Sequence, residues 1–107
     1  MIESKLRNAL ERSEKGITDK GVSCRMSNAR AAERMLRRDL DAVVCTDEKM
    51  FAALSELRAD KRERKTGRLQ NAVRWYYKAR NGREFPRFQD YEFMRTHCPE
   101  LLAARGA

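Results

Sequence analysis

The sequence predicts an all-α protein: a small single-domain bundle of four to five short helices with a basic face, spanning residues 1–107. Three observations carry that reading. Only two prolines and five glycines punctuate the chain, while Ala, Leu, Arg, Glu and Lys, which lose little freedom in a helix, dominate it. Apolar residues recur at spacings of three and four and hardly ever alternate; Val43-Val44-Cys45 is the nearest thing to a strand. The chain is 41% apolar and 37% charged, against a usual charged share of about 25%, which suits one modest core beneath a heavily charged surface.

Taken in order, Ile2, Leu6, Ala9, Leu10 and Ser13 trace a first helix from about Ile2 to Lys15, stopped by Gly16. Its stripe is narrow, which makes residues 1–16 a candidate semi-independent N-terminal helix. Residues Ile17 to Met26 show no periodicity and contain Asp19, Gly21 and Ser23, the composition of a connecting loop. Ser27 or Asn28 caps a second helix reaching Val44, with Ala29, Ala32, Leu36, Leu40 and Val43 on one side. Thr46 before Asp47 and Glu48 is an N-terminal helix signal, and Met50, Phe51, Leu54 and Leu57 form the buried stripe of the third helix. Lys61 to Lys65 reads as a charged bridge to Thr66-Gly67.

A fourth helix, Arg68 to Arg80, directs Leu69, Ala72, Val73, Tyr76, Tyr77 and Ala79 to the core and ends at Asn81-Gly82. Arg68, Asn71, Trp75 and Lys78 share its flank, with Arg74 beyond them. Pro86 suits the first position of a fifth helix carrying Phe88, Tyr91, Met94 and Cys98 inward. Pro99 leaves room for a short final turn before a frayed Arg105-Gly106-Ala107.

Charge is the strongest functional signal. Arg58 to Arg87 holds 11 of the 24 basic and 3 of the 16 acidic residues, so it carries the whole net charge of +8, and the rest, with 13 of each sign, is formally neutral. A local field of this kind attracts polyanions. The candidate contacts for nucleic acid, DNA or RNA, or for an acidic protein surface are Arg58, Lys61, Arg62, Arg64, Lys65, Arg68, Asn71, Arg74, Trp75, Lys78, Arg80, Arg83 and Arg87. Cations neutralise phosphate, Asn reaches base edges, and an exposed indole stacks on an unpaired base. Against this stand a solvated helix surface, and a Trp75 that merely sits at the core boundary. Reversing Arg68, Arg74 and Lys78 is expected to abolish function with helix content intact, and reversing Arg7, Arg12 and Lys15 to do little.

The leading reading is a non-enzymatic protein that binds nucleic acid, or a nucleic-acid machine. The alternative is a regulator of phage or mobile-element type, an inhibitor or adaptor that docks the same patch on an acidic protein, and a homodimer would double the basic surface. A helix-turn-helix of the third and fourth helices fits poorly, because Lys61 to Lys65 is too charged to pack in its turn. Catalytic residues, metal and cofactors are expected to be absent. Cys24, Cys45, His97 and Cys98 have no metal-knuckle spacing, adjacent His97 and Cys98 diverge by about 100° on a helix, and no phosphate-cradling glycine loop occurs. Three widely spaced cysteines suit reduced thiols. The start Met1-Ile2-Glu3-Ser4-Lys5 lacks a signal-peptide core and no window approaches the ~18 apolar residues that cross a bilayer, so a cytoplasmic location away from membranes is expected.

Overall fold

Side chains that cap helix ends decide where the segments of this chain begin, and they add helices that apolar spacing alone does not reveal. The structure, a computed structural model describing residues 1–105, consists of α1 (Glu3–Glu11), α2 (Asp19–Leu36), α3 (Leu40–Val44), α4 (Asp47–Arg58), α5 (Lys61–Thr66), α6 (Arg68–Asn81), α7 (Phe88–His97) and α8 (Pro99–Arg105). The all-α expectation stands. The count of four to five helices does not, and each difference has a local cause.

The predicted loop at Ile17 to Met26 is the first half of α2. Thr18 accepts the Gly21 N–H at 3.1 Å and Asp19 occupies the first turn, which satisfies one orphan donor and complements the helix dipole. Val22 and Met26 then extend the buried stripe of Ala29, Ala32 and Leu36. Gly21 belongs inside this turn, because a Cβ there would lie 2.9 Å from the Ile17 side chain. The predicted continuation to Val44 fails at Arg37, which takes a left-handed conformation (φ 56°). Asp39 restarts the chain as α3 by accepting the Asp41 N–H at 2.8 Å.

Thr46 caps α4 as the sequence predicts, accepting the Lys49 N–H at 3.1 Å, and Met50, Phe51, Leu54 and Leu57 are buried. The charged bridge is instead α5, capped by Asp60, whose carboxylate accepts the Glu63 N–H at 2.9 Å. The fifth predicted helix starts at Phe88, two residues past Pro86, and buries Tyr91 fully but Phe88, Met94 and Cys98 only partly. The short final turn expected after Pro99 is the seven-residue α8, which Pro99 opens because the first helical position needs no amide hydrogen. Of the predicted frayed end Arg105-Gly106-Ala107, Arg105 closes α8, and Gly106 and Ala107 lie outside the described residues.

The hub is α6, which touches α1, α2, α3, α4 and α5. Leu69, Ala72, Val73, Tyr76 and Tyr77 turn into one continuous core. In α1, Leu6 and Leu10 are fully buried, and the Ile2 N–H donates to the Tyr76 hydroxyl at 2.8 Å. The Met1 amine reaches Glu33 at 2.8 Å and also Asp39.

All three tyrosines are buried, and each hydroxyl donates to a carboxylate: Tyr76 to Asp41, Tyr77 to Asp47 and Tyr91 to Glu48. Burial, then the Asp41 hydrogen bond, pushes the Tyr76 phenol up to about 12. Burial, then the charges of Glu48 and Asp47, takes Tyr91 to about 12 as well, and Tyr77 moves the same way. A raised folded-state value means that this stabilisation is fully present below the ordinary phenol value of about 10 and is lost as the pH rises through about 12. Absorbance at 295 nm should therefore stay flat past pH 10, then rise together with loss of helical ellipticity. A phenolate signal near pH 10 from a protein that keeps its helices would contradict this.

Candidate functional site

The site begins with one glycine that serves two helices. Gly67 (φ 64°) ends α5 and also occupies the N-cap of α6, a left-handed position that favours glycine over the Ser, Thr or Asp normally found at a cap. The cap is therefore borrowed from the preceding turn. Glu63, 3% exposed, accepts the N–H groups of Leu69 at 2.8 Å and Gln70 at 3.2 Å, and the Gln70 side-chain amide at 3.2 Å.

That inward turn shapes the charge outside. The two acids of the α5 region, Asp60 and Glu63, are both engaged by backbone N–H groups, while Lys61, Arg62, Arg64, Lys65 and Arg68 are exposed. Among the described residues none of these five cations forms an ion pair.

A groove of about 520 Å³ lies against one flank of α6. Of the residues proposed from sequence, Arg58, Asn71, Arg74, Trp75, Lys78 and Arg87 line it. Gly67 also lines it, so α5 is the short segment between two groove residues, Arg58 and Gly67. Arg58 lies 4.2 Å above the Phe88 ring, which stacks in turn on Phe51 at 4.7 Å. Arg74 is half-buried and donates to the carbonyls of Phe85 at 3.1 Å and Pro86 at 2.9 Å. Burial, and secondarily the neighbouring Arg58 guanidinium, lowers its pKa from the ordinary arginine value. The groove thus holds two adjacent guanidiniums, neither of which pairs with a carboxylate among the described residues.

Trp75 is half-buried, with the ammonium groups of Lys15 and Lys78 at 5.8 and 5.6 Å from its ring centroid. Lys15 follows α1, and sequence reading placed it among residues with little to contribute; it is a groove residue. Beside it the indole also lines a second hollow of about 390 Å³, with Arg12, Ser13 and Ala79. The acid in the groove lining, Glu84, sits 3.4 Å from Lys78 with both side chains largely in water, and Arg87 meets Asp90 on the surface at 3.4 Å. Pairs of this kind contribute about 0–1 kcal/mol and exchange readily.

Two proposed residues fall elsewhere. Arg80 pairs with Asp41 at 3.0 Å, and Arg83 approaches Asp47 and the Tyr77 hydroxyl, so acids from distant parts of the chain offset both. Arg74 also cannot be reversed harmlessly, because its guanidinium holds the carbonyls before α7. As the hub of the core, α6 buries Leu69, Ala72, Val73, Tyr76 and Tyr77 and leaves one flank, with Arg68, Asn71 and Lys78, exposed.

Among the described residues no three His, Cys, Asp or Glu side chains come together as metal ligands. Cys24 and Cys45 are exposed and Cys98 half-buried, all as free thiols, while His97 packs on the Phe93 ring at 4.5 Å. No described helix is long and apolar enough to cross a membrane. Comparison with family models, with curated proteins and with solved structures finds no match for this chain.

Proposed function

We propose that this protein binds nucleic acid without catalysing a reaction, docking phosphates on α5 and on the rim of the Trp75 groove with limited sequence specificity. The observation that carries the reading is the uncompensated charge of Lys61, Arg62, Arg64, Lys65 and Arg68, whose neighbouring acids are engaged by the backbone. Solubility needs no such segregation, whereas a chain of phosphates is matched by it.

The test is binding to labelled DNA and RNA across a salt series. Five phosphate contacts predict a log–log slope of about −3.5 on single strands and −4.5 on duplex. No binding by micromolar protein at about 50 mM salt, where counterion release is most favourable, would sink the reading. A stoichiometric protein recovered from nuclease-treated lysate in its place would move the function to an acidic protein surface.

A further inference from the structure

We infer that the groove beside α6 is a seat for one unpaired nucleotide of a single strand, its base stacked on Trp75 and its phosphate held between Arg58 and Arg74. This rests on the nucleic-acid reading and narrows it. Two independent features of the groove converge on it.

The first is the guanidinium pair. Arg58 is oriented by the Phe88 ring and Arg74 by two backbone carbonyls, so both are held in place at the same cavity, and neither pairs with a carboxylate among the described residues. Like charges gathered in a half-buried site repel, and a phosphate dianion or diester oxygen placed there relieves the repulsion while accepting planar N–H donors.

The second is the aromatic wall. The indole of Trp75 is accessible from two hollows, and its present neighbours are the flexible ammonium groups of Lys15 and Lys78. A base displaces such groups easily, and each can then turn to a phosphate. Asn71 and Gln89 in the same lining supply side-chain amides that pair with base edges.

The occupant is a strand and not a duplex. A base inside a helix is stacked on both faces and cannot enter a groove recessed along a core helix, whereas a splayed base can. It is a strand and not a free mononucleotide because further cations lie outside the groove on α5, between the groove residues Arg58 and Gly67. A mononucleotide would leave that row unused.

Trp75 is the only tryptophan, so emission excited at 295 nm reports this one site. The full-length protein is titrated with an oligothymidylate of about 12 nucleotides, within the usual site sizes for single-strand binders, and with a hairpin duplex and thymidine monophosphate. The strand should quench Trp75 saturably and the duplex should not. Trp75→Ala should weaken the strand about 5- to 150-fold, the range that base–aromatic stacking spans, and weaken the duplex far less, while Trp75→Phe recovers most of the loss. Helical ellipticity of each variant is checked, and if Trp75→Ala does not fold, wild-type quenching and Trp75→Phe decide the matter. Equal binding of strand and duplex with unchanged emission would overturn the inference and leave nucleic-acid binding standing. Quenching by the mononucleotide as tightly as by the strand would overturn the strand assignment. No binding of any probe at about 50 mM salt would remove the underlying function reading itself.

Discussion

Glu63→Ala is expected to cost about 3 kcal/mol of stability, although the residue it replaces sits among five surface cations. The carboxylate receives two backbone N–H groups of the first turn of α6 and the Gln70 amide. Hydrogen bonds to a charged acceptor contribute roughly 1.5–3 kcal/mol, and losing the acceptor also leaves the buried Leu69 N–H without a partner. The negative charge at the helix start contributes further. Glu63→Gln keeps one carbonyl oxygen but turns an NH₂ toward donors, so an intermediate loss of about 1.5 kcal/mol is expected. Urea unfolding followed by helical ellipticity measures both. A loss below about 1 kcal/mol for alanine would show that water replaces the carboxylate and that this cap does not hold α5 to α6.

The second large effect is on binding. Replacing Lys61, Arg62 and Arg68 together by glutamate should weaken nucleic acid on the order of 100-fold or more at moderate salt and reduce the salt slope by about 2 on single strands and about 2.7 on duplex. These positions are chosen for what they leave intact. Each lies in the first turn of α5 or α6, where an acid complements the helix dipole, and each is exposed. Helix content and unfolding midpoint should therefore be kept. Arg64 and Lys65 occupy the last turn of α5 and support the helix as cations there, and Arg74 braces the chain before α7. Unaltered affinity of the triple variant would place the phosphate contacts elsewhere.

Features local in sequence were readable from it. Thr46 with two acids behind it, and Gly82 after the last apolar residue of α6, announce helix ends because a cap involves residues only three or four apart. Trp75 at the edge of the α6 stripe was found by the same periodicity. The Thr18 cap was obscured by Gly21 and by polar residues that break up the Val22 and Met26 stripe. The left-handed Arg37 carries no signal at all, since position rather than residue type requires it. Of the candidate site, the subtraction of charges along the chain treats sequence neighbours as spatial neighbours. It fails where the fold brings Asp41 to Arg80, Asp47 to Arg83 and Lys15 to Trp75. It also cannot know that Glu63 turns inward, because the donors it meets exist only once Gly67 has reversed the chain.

The tyrosine–carboxylate bonds have a consequence on a larger scale. One flank of α6 carries Asn71, Arg74, Trp75 and Lys78, and the adjoining flank brings Tyr76, Tyr77 and Arg80 to Asp41 and Asp47. The central helix thereby separates a groove whose Arg58 and Arg74 have no carboxylate partner among the described residues from a side where cations and acids offset one another. On the proposed nucleic-acid reading, a polyanion then meets matched charges on one side of α6 and unmatched cations on the other. Under that proposal the acids held by Tyr76 and Tyr77 neutralise Arg80 and Arg83, so the core side chains that stabilise the fold also decide which cations are left for a ligand.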